Sequence, residues 1–424
     1  MRGIAILTIF TLLISACGVA QTSAPSEEQT IRQLTQQIEE LQQRVKALEA
    51  KASEGASAIP DANENKLADL QTEKSAEEQA SVLLKDIHQV HGIQWHGFGE
   101  VNYKVLDQKT PELGVDGFVP GSAGGFYTGD LDLLLTSEIT EKSSFLAEMV
   151  IGEGDAQSFD VDLDRVLFKY DYNDHLRTSF GRYHTGIGYY NQAFHSGKWL
   201  QTTADRPLIM SFADDGGILP TQAVGVSLTG AVPSKGWGLN YVLEYGSSDT
   251  IRSAIDGSGR LIDENNGNHI NVGFFFRPGA APGLQIGGSV FHDQISDFDR
   301  GPSVRLGQTI LNGHIVYVAN KWELLNEGFL IRHVYEQSPL VFNMPAFYTQ
   351  LSRRIGKVRP FFRYQYINAN PNSIFSDVSR REGPSFGARY DFDEFVGFKL
   401  QLDHTLRTDK PAINGLNTQL VFAF

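Results

Sequence analysis

The sequence predicts an all-β fold, a transmembrane antiparallel β-barrel of about sixteen strands preceded by a short α-helical coiled coil. Three observations carry this reading. From residue 92 onward apolar and polar residues alternate with period two, and the segments joining those runs are alternately short and long. The chain also closes on LNTQLVFAF, residues 416–424, whose apolar face runs to an aromatic last residue instead of fraying into polar sequence.

The elements follow in order. MRGIAILTIFTLLISACGVAQ has one cation, Arg2, then an apolar run from Ile4 to Ile14 and small residues beyond, so residues 1–20 read as a secretory signal and the chain as exported. The one cysteine, Cys17, follows Ile14-Ser15-Ala16 as in a lipobox, the site where lipoprotein processing acylates a new N-terminal cysteine. Cleavage after Ala20 would instead remove it, and both alternatives stay open. Neither leaves a disulfide in the barrel.

Residues 27–52 carry a heptad seam, with Ile31, Leu34, Ile38, Leu41, Val45 and Leu48 spaced alternately three and four apart. That seam implies an oligomerisation stalk, in which Arg44 of one helix reaches Glu49 of a parallel neighbour; a single amphipathic helix is the plainer alternative. Residues 53–91, rich in Ala, Ser, Glu, Asp and Lys, form a linker.

In GIQWHGFGEVNYKV, Ile93, Trp95, Val101, Tyr103 and Val105 fall on one face, and Gln94, His96, Glu100, Asn102 and Lys104 on the other. The pattern recurs with strands starting near residues 92, 126, 144, 161, 176, 223, 238, 269, 284, 305, 322, 346, 358, 384, 396 and 414. Tight turns on one side and long loops on the other are what an outer-membrane barrel requires. The last strand must then close against the first, because an open edge cannot persist in hydrocarbon. Leu416, Leu420, Phe422 and Phe424 face lipid in that arrangement, and Phe422 and Phe424 resemble the terminal signal read by the bacterial barrel-assembly machinery. Aromatic rows such as Phe362, Tyr364 and Tyr366 suit an interfacial girdle.

The opposite parity faces the lumen. Arg165 and Lys169, Arg363 and Gln365, Arg389 and Asp391, and Lys399, Gln401 and Asp403 point inward, and a sixteen-stranded barrel is too wide for side chains to fill. They are expected to line water, or else to pair with Glu148, Asp162, Asp164 or Glu244. The segment 185–222 is the longest loop and carries Lys198, Arg206, Asp214 and Asp215 with Tyr189, Tyr190, Phe194, Trp199 and Leu200. Folding inward would bury those aromatics and narrow the passage. His184 and His195 suggest a metal pair, but no third ligand follows at a useful spacing, so no metal site is expected.

The net charge of −14 argues against general nucleic-acid binding. His333, His404 and Ser352 are scattered singles that form no catalytic grouping, so neither an enzyme nor a cofactor is expected. FKYDYNDHLRTSFGRYHTGIG, WELLNEGFLIRHV and FYTQLSRRIGKVRPFFRYQYIN together resemble the phosphate-selective porins O and P and related porins, over roughly residues 92–424. The resemblance implies a trimeric sixteen-stranded pore whose third loop folds inward, whereas β-branched residues at a with Leu at d favour a dimeric coil. Phosphate selectivity is not carried over, because residues 92–424 hold 28 Lys plus Arg against 37 Asp plus Glu. The expectation is a bacterial outer-membrane channel, its coil in the periplasm, passing small hydrophilic solutes, anionic ones among them. The candidate constriction residues are Arg165, Lys169, Lys198, Arg206, Asp214, Asp215, Arg363 and Arg389. The alternatives are an anchor joining barrel to cell wall through the coil and, more remotely, a barrel enzyme.

Overall fold

The computed structural model describes residues 92–107, 124–153, 159–210, 218–248, 268–297, 300–301, 304–376, 378–408 and 410–424. The expected signal with Cys17, the coil from Ile31 to Leu48 and the linker lie outside the described residues.

Sixteen strands are present among them: β1 (Ile93–Leu106), β2 (Gly124–Thr140), β3 (Ser143–Glu153), β4 (Phe159–Asn173), β5 (Leu176–His184), β6 (Gln222–Ala231), β7 (Leu239–Ser248) and β8 (His269–Phe276), followed by β9 (Leu284–Ser296), β10 (Arg305–Ala319), β11 (Trp322–Tyr335), β12 (Val341–Arg353), β13 (Val358–Asn368), β14 (Arg380–Asp391), β15 (Val396–Arg407) and β16 (Ile413–Ala423). Each pairs antiparallel with its neighbours in sequence, and β1 pairs with β16 to close the barrel. At the seam Val101 sits opposite Leu420, and Gly97 and Phe424 exchange backbone hydrogen bonds of 2.8 and 2.9 Å.

The short connections are tight because their residues accept the required dihedrals. Asn320 and Lys321 join β10 to β11 with φ of 53° and 69°, the sign that a two-residue hairpin of type I′ demands. The outer face is apolar: Ile270, Phe274, Ile286, Ile315, Phe362 and Leu400 all project away from the lumen. A contiguous apolar belt of that kind fits lipid and not water. No helix among the described residues is long and apolar enough to cross a membrane. Gly97 and Gly99 on β1 lie under the rings of Phe424 and Phe422, and a Cβ at Gly99 would come within 2.6 Å of the Phe422 ring. The aromatic pair at the C-terminus thus covers bare backbone where the barrel closes.

Two strands begin earlier than the sequence suggests, and both contain proline. Pro345 lies in β12 where pairing with β13 has not yet started, since that ladder begins at Ala346. Pro384 lies in β14 where pairing with β15 is interrupted between Glu382 and Ser385. Proline lacks the N–H that a ladder needs, and each sits where one flank is unpaired.

The inner face departs from a uniformly wet wall. On β9 to β12, Phe291, Ile310, Leu325, Phe329, Ile331 and Met344 point inward and are buried. The chain between β5 and β6 covers them. It enters the lumen as α1 (Tyr189–Phe194), followed by single 3₁₀ turns at Lys198–Leu200 and Leu208–Met210. Ile187, Tyr190, Phe194, Leu208, Ile209 and Met210 pack on the apolar wall, which makes the loop part of the hydrophobic core.

Candidate functional site

The loop is fixed at its neck first. Thr185 Oγ1 donates to Pro220 O at 2.7 Å, and Asn191 Nδ2 bridges the carbonyls of Thr185 and Thr221, each at 2.9 Å. Two wall carboxylates then receive loop backbone. Glu244 on β7 accepts from Gly186 N at 2.9 and 3.0 Å. Glu327 on β11 accepts from Tyr189 N at 2.7 Å, Tyr190 N at 2.9 Å and the Tyr348 hydroxyl at 2.5 Å. These bonds satisfy N–H groups at the start of α1 that have no intrahelical partner. The backbone approaches so closely that a Cβ at Gly188 would lie 2.5 Å from Glu327 Oε2, and Gly188 has φ +81°, so glycine is required twice over.

Residues 198–206 cross to the opposite wall, where cations hold carbonyls. Lys399 Nζ donates to Lys198 O at 2.5 Å and Thr203 O at 3.0 Å. Arg389 donates to Trp199 O and to Gln201 O at 3.0 Å, with its guanidinium 4.5 Å above the Trp199 ring centroid. Arg363 Nη1 reaches Thr203 Oγ1 at 3.2 Å and Asp205 O at 2.9 Å. The Gln401 carbonyl accepts from Ala204 N at 3.0 Å, and the Gln365 carbonyl accepts from Leu208 N at 3.0 Å. The strip's own charges are matched: Lys198 Nζ lies 2.8 Å from Glu100 Oε1 and 3.8 Å from Asp130 Oδ2. Asp205 meets Lys104 at 3.4 Å and the Asn417 amide at 2.8 Å.

The surroundings hold these charges in place. Burial works against the Lys198 ammonium, but the Glu100 and Asp130 carboxylates outweigh it and keep its pKa well above the ordinary lysine value. Burial likewise disfavours the Asp205 carboxylate, yet Lys104 and the Asn417 amide outweigh it and hold Asp205 below the usual aspartate range. Both groups therefore stay charged at neutral pH.

Of the residues expected at a constriction, the structure gathers five around the loop. Arg165 ion-pairs with Glu148 and donates to Ser196 Oγ at 3.0 Å. Arg206 donates to His195 O at 2.9 Å, and Lys198, Arg363 and Arg389 are as above. Arg363 and Arg389, expected to line water, do not: the loop lies over them, and Arg363 is 1% exposed. The physical reason is that the lumen is filled on that side by backbone, which side chains alone could not have done. Lys169 stands apart, half-buried towards the tight-turn end of β4. Asp214 and Asp215 lie outside the described residues. The carboxylates Glu244 and Glu327 that anchor the loop were not singled out for that role by sequence, although Glu327 in WELLNEGFLIRHV stands on an inward stripe with Leu325 and Phe329. A charge on such a stripe needs a partner, and loop backbone supplies it.

A bulge shapes the remaining cluster. Between Glu148 and Met149 of β3 the register with β4 slips, so Asp164 and Arg165, adjacent in sequence, both turn inward. Asp164 Oδ2 then lies 2.7 Å from His184 Nε2 and 3.7 Å from His195 Nε2. This third group does not follow the two histidines; it precedes them.

No protein-family model matches the sequence, and no curated protein matches it either. Solved structures do. An anion-selective porin from Comamonas acidovorans superposes with a TM-score of 0.53 at 12% identity, covering 78% of this chain and 99% of that one. OmpT of Vibrio cholerae, an outer membrane protein in a trimer form, gives 0.52 at 10% identity over 78% of this chain and 99% of that one. Salmonella typhi OmpF, in complex with daunomycin, gives 0.51 at 12% identity over 78% and 97%. The likeness shows a shared fold: an outer-membrane porin-like barrel.

Proposed function

We propose that this chain is a non-catalytic outer-membrane porin through which small hydrophilic solutes diffuse past the docked loop. One observation carries the reading: a closed barrel with an apolar exterior holds a long internal loop whose exposed edge is polar and charged. Along that edge the side chains of Lys198 and Asp205 keep 20 and 29% of their surface, and Asp130 on the facing β2 wall keeps 31%, whereas Arg363 behind the loop is sealed. The passage runs beside these half-exposed groups. Lys198 and Arg206 favour anions there, and Asp130 and Asp205 oppose them, so the charge preference is weak.

The protein acts as a homotrimer in the outer membrane, an arrangement in keeping with the trimer form of Vibrio cholerae OmpT. Phe422 and Phe424 are read by the barrel-assembly machinery, and the heptads from Ile31 to Leu48 serve as a periplasmic oligomerisation stalk. An isolated peptide of residues 27–53 should associate, and Leu34→Asp with Leu41→Asp should abolish that; a parent peptide that stays monomeric at high concentration refutes the stalk. Planar-bilayer recording tests the pore. Stepwise ohmic currents support it, and a folded protein that never conducts marks the chain as a structural anchor.

A further inference from the structure

We propose that Asp164, His184 and His195 form a site for one divalent transition-metal ion of the zinc type, which fastens the start of the infolded loop to the barrel wall. Their donor atoms all lie within 4.8 Å of one another. The three come from three places: Asp164 from the bulge of β4, His184 from the last position of β5, and His195 from the turn after α1. All are sequestered, with side-chain exposures of 7, 6 and 3%.

The orientation of the donors argues for a ligand and not merely for packing. The two imidazoles stack with centroids 3.6 Å apart and planes 26° off parallel, so both present Nε2 to the same carboxylate oxygen. The tautomer of His195 follows from its neighbours. Asn191 spends its amide N–H groups on the carbonyls of Thr185 and Thr221, so its Oδ1, 2.8 Å from His195 Nδ1, can only accept. Nδ1 therefore carries the proton, and the Nε2 lone pair is left on the side of Asp164 and His184. A metal-bound histidine characteristically donates its other N–H to such an oxygen. Asp164 is oriented in the same way: the Gln222 amide takes Oδ1 and leaves Oδ2 toward the histidines.

Two imidazoles and one carboxylate suit zinc and its first-row neighbours, whereas calcium and magnesium call for oxygen donors throughout. Bonds of about 2.1 Å in a tetrahedral site put ligand atoms about 3.4 Å apart. The observed 2.7 and 3.7 Å bracket that value, so entry needs displacements below about 1 Å and loss of the proton between His184 Nε2 and Asp164. Glu148 Oε2 lies 3.8 Å from His184 Nε2, but its charge is largely matched by Arg165, so the ion's attraction rests on Asp164. Because the ligands join β4, β5 and the loop, occupancy stabilises the docked loop in proportion to RT ln(1 + [metal]/Kd).

The experiment uses full-length, tag-free protein in detergent, stripped with chelator and titrated with Co²⁺ by visible absorption and with Zn²⁺ by calorimetry. The parent should bind one equivalent that His195→Gln and the double variant His184→Ala/His195→Ala lack, and Asn191→Ala should weaken binding about 10- to 100-fold. His195 sits on the loop, so His195→Gln should keep the heat-modifiable mobility of a folded barrel, which separates lost ligation from lost folding. No stoichiometric uptake by the parent, or equal uptake by the double variant, overturns the site. Binding is read without current, so this outcome is independent of whether the barrel conducts.

Discussion

Replacing Glu327 by Ala should undock the loop while leaving the barrel intact. The Glu327 carboxylate is 2% exposed and accepts from Tyr189 N at 2.7 Å, Tyr190 N at 2.9 Å and Tyr348 Oη at 2.5 Å. Removing it strands two backbone donors of the loop and one hydroxyl, and each buried donor left unmade costs about 1–3 kcal/mol. The two backbone donors belong to the loop, and water can satisfy them only if the loop leaves. The docking equilibrium should therefore weaken by about 2–6 kcal/mol, about 30- to 10⁴-fold. The strand itself is secured by full ladders to β10 and β12, so heat-modifiability should change little. Single-channel recording should show larger and noisier currents, and trypsin should gain access to the Lys198–Trp199 bond. Parent-like currents together with parent-like protease resistance would refute the assignment of Glu327 as an anchor.

Lys198→Glu combined with Arg206→Glu should move the reversal potential in a salt gradient toward cations, and more than Arg380→Glu with Arg381→Glu at the start of β14; no difference between the pairs would place selectivity elsewhere. The docked Asp205 has a pKa held below its usual 3.8, so the undocked loop takes up the proton more readily. Its contribution to docking is thus full above about pH 4 and lost as pH falls below that, so protease resistance should be flat from pH 7 to about 5 and decline under stronger acid. Asp205→Asn should lower that resistance at neutral pH and flatten the acid decline. Deleting Phe424 removes the ring over Gly97 and both backbone bonds at the seam, costing about a few kcal/mol, and should slow assembly more than it destabilises finished barrels. Normal membrane levels of folded truncated protein would count against it.

Much of the fold was legible because a membrane barrel forces period two on every strand. The ends of the infolded segment were read at 185 and 222, beside the observed His184 and Gln222. The starts of β12 and β14 lie ahead of the expected residues 346 and 384, and the strands pass through Pro345 and Pro384 because each proline sits where one flank is unpaired. The inward direction of Arg363, Arg389 and Lys399 was legible, but their partners were not. Their partners are backbone carbonyls of residues about 160 to 200 positions away, and a carbonyl leaves no trace in sequence. Asp164 was expected among the lumen carboxylates, but its place beside the two histidines was not: strict alternation sends Asp164 and Arg165 to opposite faces, and one extra residue sends both inward.

Single-channel conductance of the parent beside a variant whose residues 186–219 are replaced by a short Gly-Ser linker tests the central claim most directly. If the docked loop occupies the lumen and sets its narrowest passage, the variant should conduct several times more current. Equal conductance in the two proteins would show that the loop does not restrict the pore, and the account would fail.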